Sequence, residues 1–86
     1  MNINELWNEI KNSEGKTFYT VRGLPFTYEL VNSFKLAVDR NGRNVGYINK
    51  SDFEYIMENP NESTTFFQDA MRTASYALAI FNKLYR

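Results

Sequence analysis

The chain has 86 residues and carries ten Lys and Arg against ten Asp and Glu, so its formal net charge is zero, and it contains neither His nor Cys. Those counts exclude disulfides, thiol chemistry and every catalytic device built on imidazole, and leave a zinc site nothing but carboxylates. The length suits one domain, residues 1–86, and 7 Phe, 6 Tyr and 1 Trp supply the means to stabilise it without a staple. Either a monomer or a small homo-oligomer fits that composition.

Residues 2–13 read as a helix. Ile3, Leu6, Trp7 and Ile10 make one apolar stripe, Asn2 with Glu5 has capping-box spacing, and Ser13, Glu14 and Gly15 supply a stop. Three acids in the first 15 residues and no apolar run there are wrong for a signal peptide. The longest apolar stretch, residues 76–81, is too short for a membrane span, so the expected home is cytoplasmic with no membrane partner. Asn occurs eleven times, a bias expected of an AT-rich genome.

Residues 16–49 read as a four-stranded antiparallel meander. Lys16 to Arg22 is rich in β-branched and aromatic residues, and Gly23-Leu24 is the expected turn. Phe26, Tyr28 and Leu30 alternate with polar neighbours, as do Phe34, Leu36 and Val38. A loop of Val31, Asn32 and Ser33 would pair Leu30 with Phe34 and Tyr28 with Leu36, which keeps one face apolar. Asn41-Gly42 is a type I′ hairpin signal that pairs Arg40 with Arg43, Val38 with Val45 and Leu36 with Tyr47. The expected core face is then Tyr19, Val21, Phe26, Tyr28, Leu30, Phe34, Leu36, Val38, Val45 and Tyr47. Phe18, Thr20, Arg22, Thr27, Glu29, Val31, Lys35, Ala37 and Ile48 fall on the other face.

Ser51 with Glu54 is a second capping-box pair, opening a helix to about Glu58 that Pro60 ends. Residues 59–63 form a polar loop. A long helix follows over residues 65–83, with Phe67, Ala70, Met71, Ala74, Ala77, Leu78 and Phe81 as its stripe. The alternative is a break near Thr73 to Ser75. The fold class is α+β: an N-terminal helix, the meander, and two C-terminal helices on one sheet face.

No enzyme signature emerges, so no catalytic residue, cofactor or metal is assigned. The four glycines are scattered, no base is present to activate a hydroxyl, and the pairs Glu5/Glu9 and Glu54/Glu58 have the spacing of a solvated helix face. Asp52, Glu54, Glu58 and Glu62 match no calcium loop. The bases are more informative. Residues 16–50 hold six bases and two acids, whereas the flanking segments 1–15 and 51–86 each carry −2. Arg40 and Arg43 flank a hairpin tip, and Arg22, Lys35 and Lys50 would extend the patch toward phosphates. The aromatics, expected mostly in the core, offer no base-stacking platform.

The run Gly15-Lys16-x-Phe18-x-Thr20-Val21-Arg22-Gly23-Leu24-Pro25-Phe26-Thr27-Tyr28 resembles a signature of short uncharacterised bacterial proteins, phage and mobile-element ones included. Ile48-Asn49-Lys50-Ser51-Asp52-Phe53-Glu54 and Ser75-Tyr76-Ala77-Leu78-Ala79-Ile80 continue the resemblance, which covers about residues 14–81. It implies a shared fold rather than an activity, and it draws attention to Thr20, Arg22, Tyr28, Arg43, Lys50 and Ser51. The function expected is a small non-enzymatic module acting through a protein partner. The alternative is a nucleic-acid binder using Arg22, Lys35, Arg40, Arg43, Lys50 and Ser51.

Overall fold

A computed structural model describes residues 1–85. The first helix, α1 (Ile3–Asn12), forms where the apolar stripe falls. Its capping box is closed in both directions: the Glu5 amide donates to Asn2 Oδ1 at 2.9 Å and the Asn2 amide donates to Glu5 Oε1 at 3.1 Å. Two of the four orphan N–H groups of the first turn are thereby satisfied. Ser13 caps the other end, and Gly15, at φ +84°, turns its N–H onto the carbonyl of Tyr28. Leu6, Trp7 and Ile10 are buried. Trp7 packs its ring 6.1 Å from that of Phe53 and donates from Nε1 to the carbonyl of Ser33 at 2.9 Å. One side chain thus joins α1, the sheet and the next helix.

The sheet has the strands β1 (Phe18–Tyr19), β2 (Pro25–Asn32), β3 (Lys35–Arg40) and β4 (Arg43–Asn49), antiparallel and in that order. The β3–β4 turn is the expected one. Asn41 at φ +54° and Gly42 at φ +76° are the two left-handed central residues that a type I′ turn requires, and Arg40 faces Arg43.

Beyond that pair the expected register fails, in three places. Val38 lies opposite Gly46 and Asp39 opposite Asn44, so Val45 is an extra residue in β4 and the strand is bulged. The slip of one residue exchanges faces. Ile48, opposite Leu36, is buried, while Tyr47 and Val45 point outward. At the other side of the sheet, Phe18 pairs with Phe26 and Tyr19 with Pro25. The turn between them is not Gly23-Leu24 alone but the whole run from Thr20 to Leu24. Thr20 closes it, its amide donating to the Leu24 carbonyl and its Oγ1 accepting from the Leu24 amide. Phe18 is therefore in the core and Tyr19 and Val21 are out.

Between β2 and β3, Leu30 faces Leu36 and Tyr28 faces Val38, with Asn32 opposite Lys35 and an irregularity at Val31. The predicted partners are displaced by two residues, which preserves the faces. Phe34 falls in the turn and is exposed.

Helix α2 (Lys50–Glu58) begins two residues earlier than a Ser51 cap would start it. Asn49 is its cap, and the Asn49 amide donates to Asp52 Oδ2 at 2.8 Å, so the Asn49/Asp52 pair replaces Ser51/Glu54. The long C-terminal helix is two helices, α3 (Thr64–Gln68) and α4 (Ala74–Leu84). Three helices therefore follow the sheet rather than two. Ser63 caps α3 by accepting from the Phe66 amide. The break between α3 and α4 buries Met71 and Thr73, which a continuous helix would have turned to different faces.

The helices cover the sheet face that carries Phe26, Tyr28, Leu36, Val38 and Ile48. Tyr28 reaches through the core to donate its hydroxyl to the carbonyl of Ile10, and Phe26 meets Tyr76 of α4 edge to face at 5.0 Å. Leu6, Ile10, Phe53, Ile56, Phe67, Ala74, Ala77 and Ile80 complete the core. The class is α+β, with an antiparallel sheet. Among the described residues no helix is long and apolar enough to cross a membrane.

Candidate docking surfaces

Among the described residues every buried side-chain nitrogen and oxygen has a hydrogen-bond partner, and no group of three acidic side chains is placed to hold a metal ion. The surface carries what is distinctive. Three parts of it differ from a polar shell.

The first is a groove of about 780 Å³ between β1, the α2–α3 loop and α4. Phe18, Ile56, Phe67, Leu78 and Phe81 contribute to its wall. Tyr19 and Val21 stand at its side, 63% and 97% exposed. These two reach the surface because the Thr20–Leu24 loop, and not a two-residue turn, sets the β1 register.

The second is the outer face of the sheet. The bulge at Val45 turns Tyr47 outward, opposite Ala37, and Lys35 lies over its ring at 5.5 Å from the centroid. Phe34 is exposed at the β2–β3 turn, where Asn32 Oδ1 accepts from its amide and its carbonyl accepts from the Lys50 amide. Of the five rings expected on the covered sheet face, Phe26 and Tyr28 are buried there, while Tyr19, Phe34 and Tyr47 are on the surface.

The third is the end of the sheet that bears the β3–β4 turn. The expected basic patch divides here. Lys35 begins β3 and Arg40 ends it, so they stand about 17 Å apart at a rise of about 3.4 Å per residue. Lys50 and Ser51, following β4, lie at the Lys35 end, where Lys50 Nζ donates to Asn4 Oδ1 at 2.9 Å. These three residues do not join Arg40 and Arg43 in one surface. Arg22, in the β1–β2 loop, is at the Arg40 end, two strand spacings or about 10 Å across.

Arg72, which no local pattern singles out, is brought beside β4 by the α3–α4 linker. The linker rests on β4: Thr73 Oγ1 donates to the Tyr47 carbonyl at 2.9 Å, and a Cβ on Gly46 would lie 2.6 Å from Thr73 Cγ2. Arg72 lines a shallow recess of about 530 Å³ that runs along β4 from Asn44 to Asn49 and includes Asp52. Arg40 donates to the Tyr76 hydroxyl at 3.3 Å, and Tyr76 is itself packed on Phe26. Arg22, Arg43 and Arg72 are exposed. A glycine inside a strand is the one sequence signal that foretells the bulge and the close approach. Nothing in the sequence foretells that Arg72 is what the approach delivers.

No family model, curated protein or solved structure matches the chain.

Proposed function

We propose that this chain is a small non-enzymatic binding module that acts through a protein partner, seated in the groove between β1 and α4. The observation that carries the reading is the groove itself. It is concave, partly apolar, and bordered by Tyr19 and Val21, two large side chains whose exposure serves no packing within the chain. Contacts of that kind anchor protein interfaces: an apolar recess takes a side chain of the partner, and an aromatic ring beside it adds area at small entropic cost. The absence of His and Cys and the balanced charge support a role in binding over one in catalysis.

The test is quantitative capture of partners by the full chain from a lysate of the source organism, wild type against Val21→Asp. Val21 is 97% exposed, so the substitution leaves stability within about 0.5 kcal/mol. A partner enriched by the wild type and lost with Val21→Asp is the expected result. Recovery of the same proteins in the same amounts by both overturns the assignment of the groove.

A further inference from the structure

We infer that the arginine-bearing end of the sheet, Arg40, Arg43 and Arg72 with Arg22 at its flank, is a phosphate-binding surface for the backbone of a nucleic acid. The surface is distinct from the groove, and the inference stands independently of the reading given to that groove.

Four observations carry it. First, three separate segments supply the arginines: strand order puts the β1–β2 loop, with Arg22, at the end of the sheet that bears Arg40 and Arg43, and the α3–α4 linker lays Arg72 along β4 in a recess with Asn44. Arginine is the side chain suited to phosphate, since its planar fork donates two parallel hydrogen bonds to one anion. Second, Arg40 faces Arg43 directly across the hairpin. Like charges in that position oppose folding, so an anion shared between them relieves a cost the free protein carries. Third, the arrangement is held in place. Tyr76, wedged against Phe26, accepts from the Arg40 guanidinium, and the close contact of Gly46 with Thr73 fixes the linker that carries Arg72. Arg40 is thus already ordered for a ligand, while the exposed Arg22, Arg43 and Arg72 order when it binds. Fourth, Thr73 caps α4 without bonding its first-turn amides, because its hydroxyl is turned to Tyr47. The positive end of that helix therefore adds to the field of Arg72.

Asp39, opposite Asn44, Asp69, at the end of α3, and Asp52, which lines the same recess as Arg72, are acids of this region. They temper the charge, which points to contacts with a few phosphates rather than to a broad polyanion track. A β-hairpin with a two-residue tip is narrow enough for the grooves and loops of nucleic acids. It positions on phosphates before it reads bases.

The experiment is a fluorescence-anisotropy titration of the full chain against labelled single-stranded DNA, duplex DNA and single-stranded RNA, repeated over a salt series. Binding to at least one of the three is expected, with log K falling against log salt at a slope near −3, as for about three neutralised phosphates. Arg43→Gln with Arg72→Gln should weaken it tenfold or more and flatten the slope by about 2. Lys35→Gln with Lys50→Gln changes net charge equally at the other end of the sheet and should change affinity less than twofold. Arg43→Lys with Arg72→Lys should retain the salt slope. No binding to any of the three at low salt overturns the inference. So does an equal loss from the lysine pair, which would mean a response to net charge alone. So does competition by polyglutamate as strong as by unlabelled nucleic acid, which would make the ligand an acidic protein.

Discussion

Gly46→Ala is expected to cost the fold about 2–4 kcal/mol, a large share of the stability of a domain this small. Two separate causes add. The residue sits at φ +146°, a conformation that side chains rarely adopt. A Cβ there would also stand 2.6 Å from Thr73 Cγ2. That methyl cannot swing aside without loss, because Thr73 is buried and its hydroxyl is bonded to the Tyr47 carbonyl. A double-mutant cycle separates the causes. Thr73→Ser keeps the hydroxyl and removes the methyl, so Gly46→Ala in that background should recover the part due to the clash and none of the part due to the backbone. Equilibrium urea unfolding of the four proteins is the measurement. Additive effects would mean that the linker does not rest on β4 as described.

Tyr28 predicts an alkaline limit to stability. Its side chain is fully buried, and burial first, then the Glu14 carboxylate, push its phenol above the usual tyrosine range. In the unfolded chain the same group ionises near pH 10. The neutral form is therefore favoured by folding: the contribution is fully present below about pH 10 and is lost as pH rises toward the folded value. Wild-type unfolding free energy should fall above pH 10 by up to about 1.4 kcal/mol per pH unit relative to Tyr28→Phe. At neutral pH Tyr28→Phe should itself cost about 1 kcal/mol, since the Ile10 carbonyl loses the phenol but keeps the Ser13 amide. Parallel pH dependences of the two proteins would place the Tyr28 hydroxyl in water.

What was legible in the sequence was local. The α1 stripe and its Asn2/Glu5 box, the Asn41-Gly42 turn and the pair Arg40/Arg43 all depend on neighbours within a few residues, and each is found where expected. The class α+β follows from their order. The departures have causes that lie far along the chain. Val45 is squeezed out of the ladder where Gly46 meets Thr73, 27 positions later, so strict alternation through β4 puts Tyr47 inside and Ile48 outside. Thr20 closes a five-residue loop with its own hydroxyl, and the β1 strand shifts three residues against its partner, an odd number that exchanges its faces. Apolar periodicity runs straight through residues 65–83, yet the chain breaks after Gln68 so that Thr73 can reach Tyr47 and Met71 can be buried. Arg40 and Arg43 could be named as a candidate surface because a hairpin tip is a local object. Arg72 could not, because the contact that places it is tertiary. Charge and resemblance group Lys35, Lys50 and Ser51 with Arg40 and Arg43, and strand direction sends these three to the opposite end.

Both docking surfaces depend on the reversal of faces at β1 and β4. It puts Tyr19, Val21 and Tyr47 in water and sets the linker that carries Arg72. The chain has no cysteine, so single cysteines report each position without background. Tyr47→Cys and Ile48→Cys, labelled with a maleimide under native conditions, are the decisive pair. Cys at 47 should react at nearly the rate of a free thiol. Cys at 48 should react roughly a hundredfold more slowly or less, because reaching it requires an opening that costs several kcal/mol. A protected thiol at 47 with a reactive one at 48 would mean that alternation runs unbroken through β4, and would contradict the account.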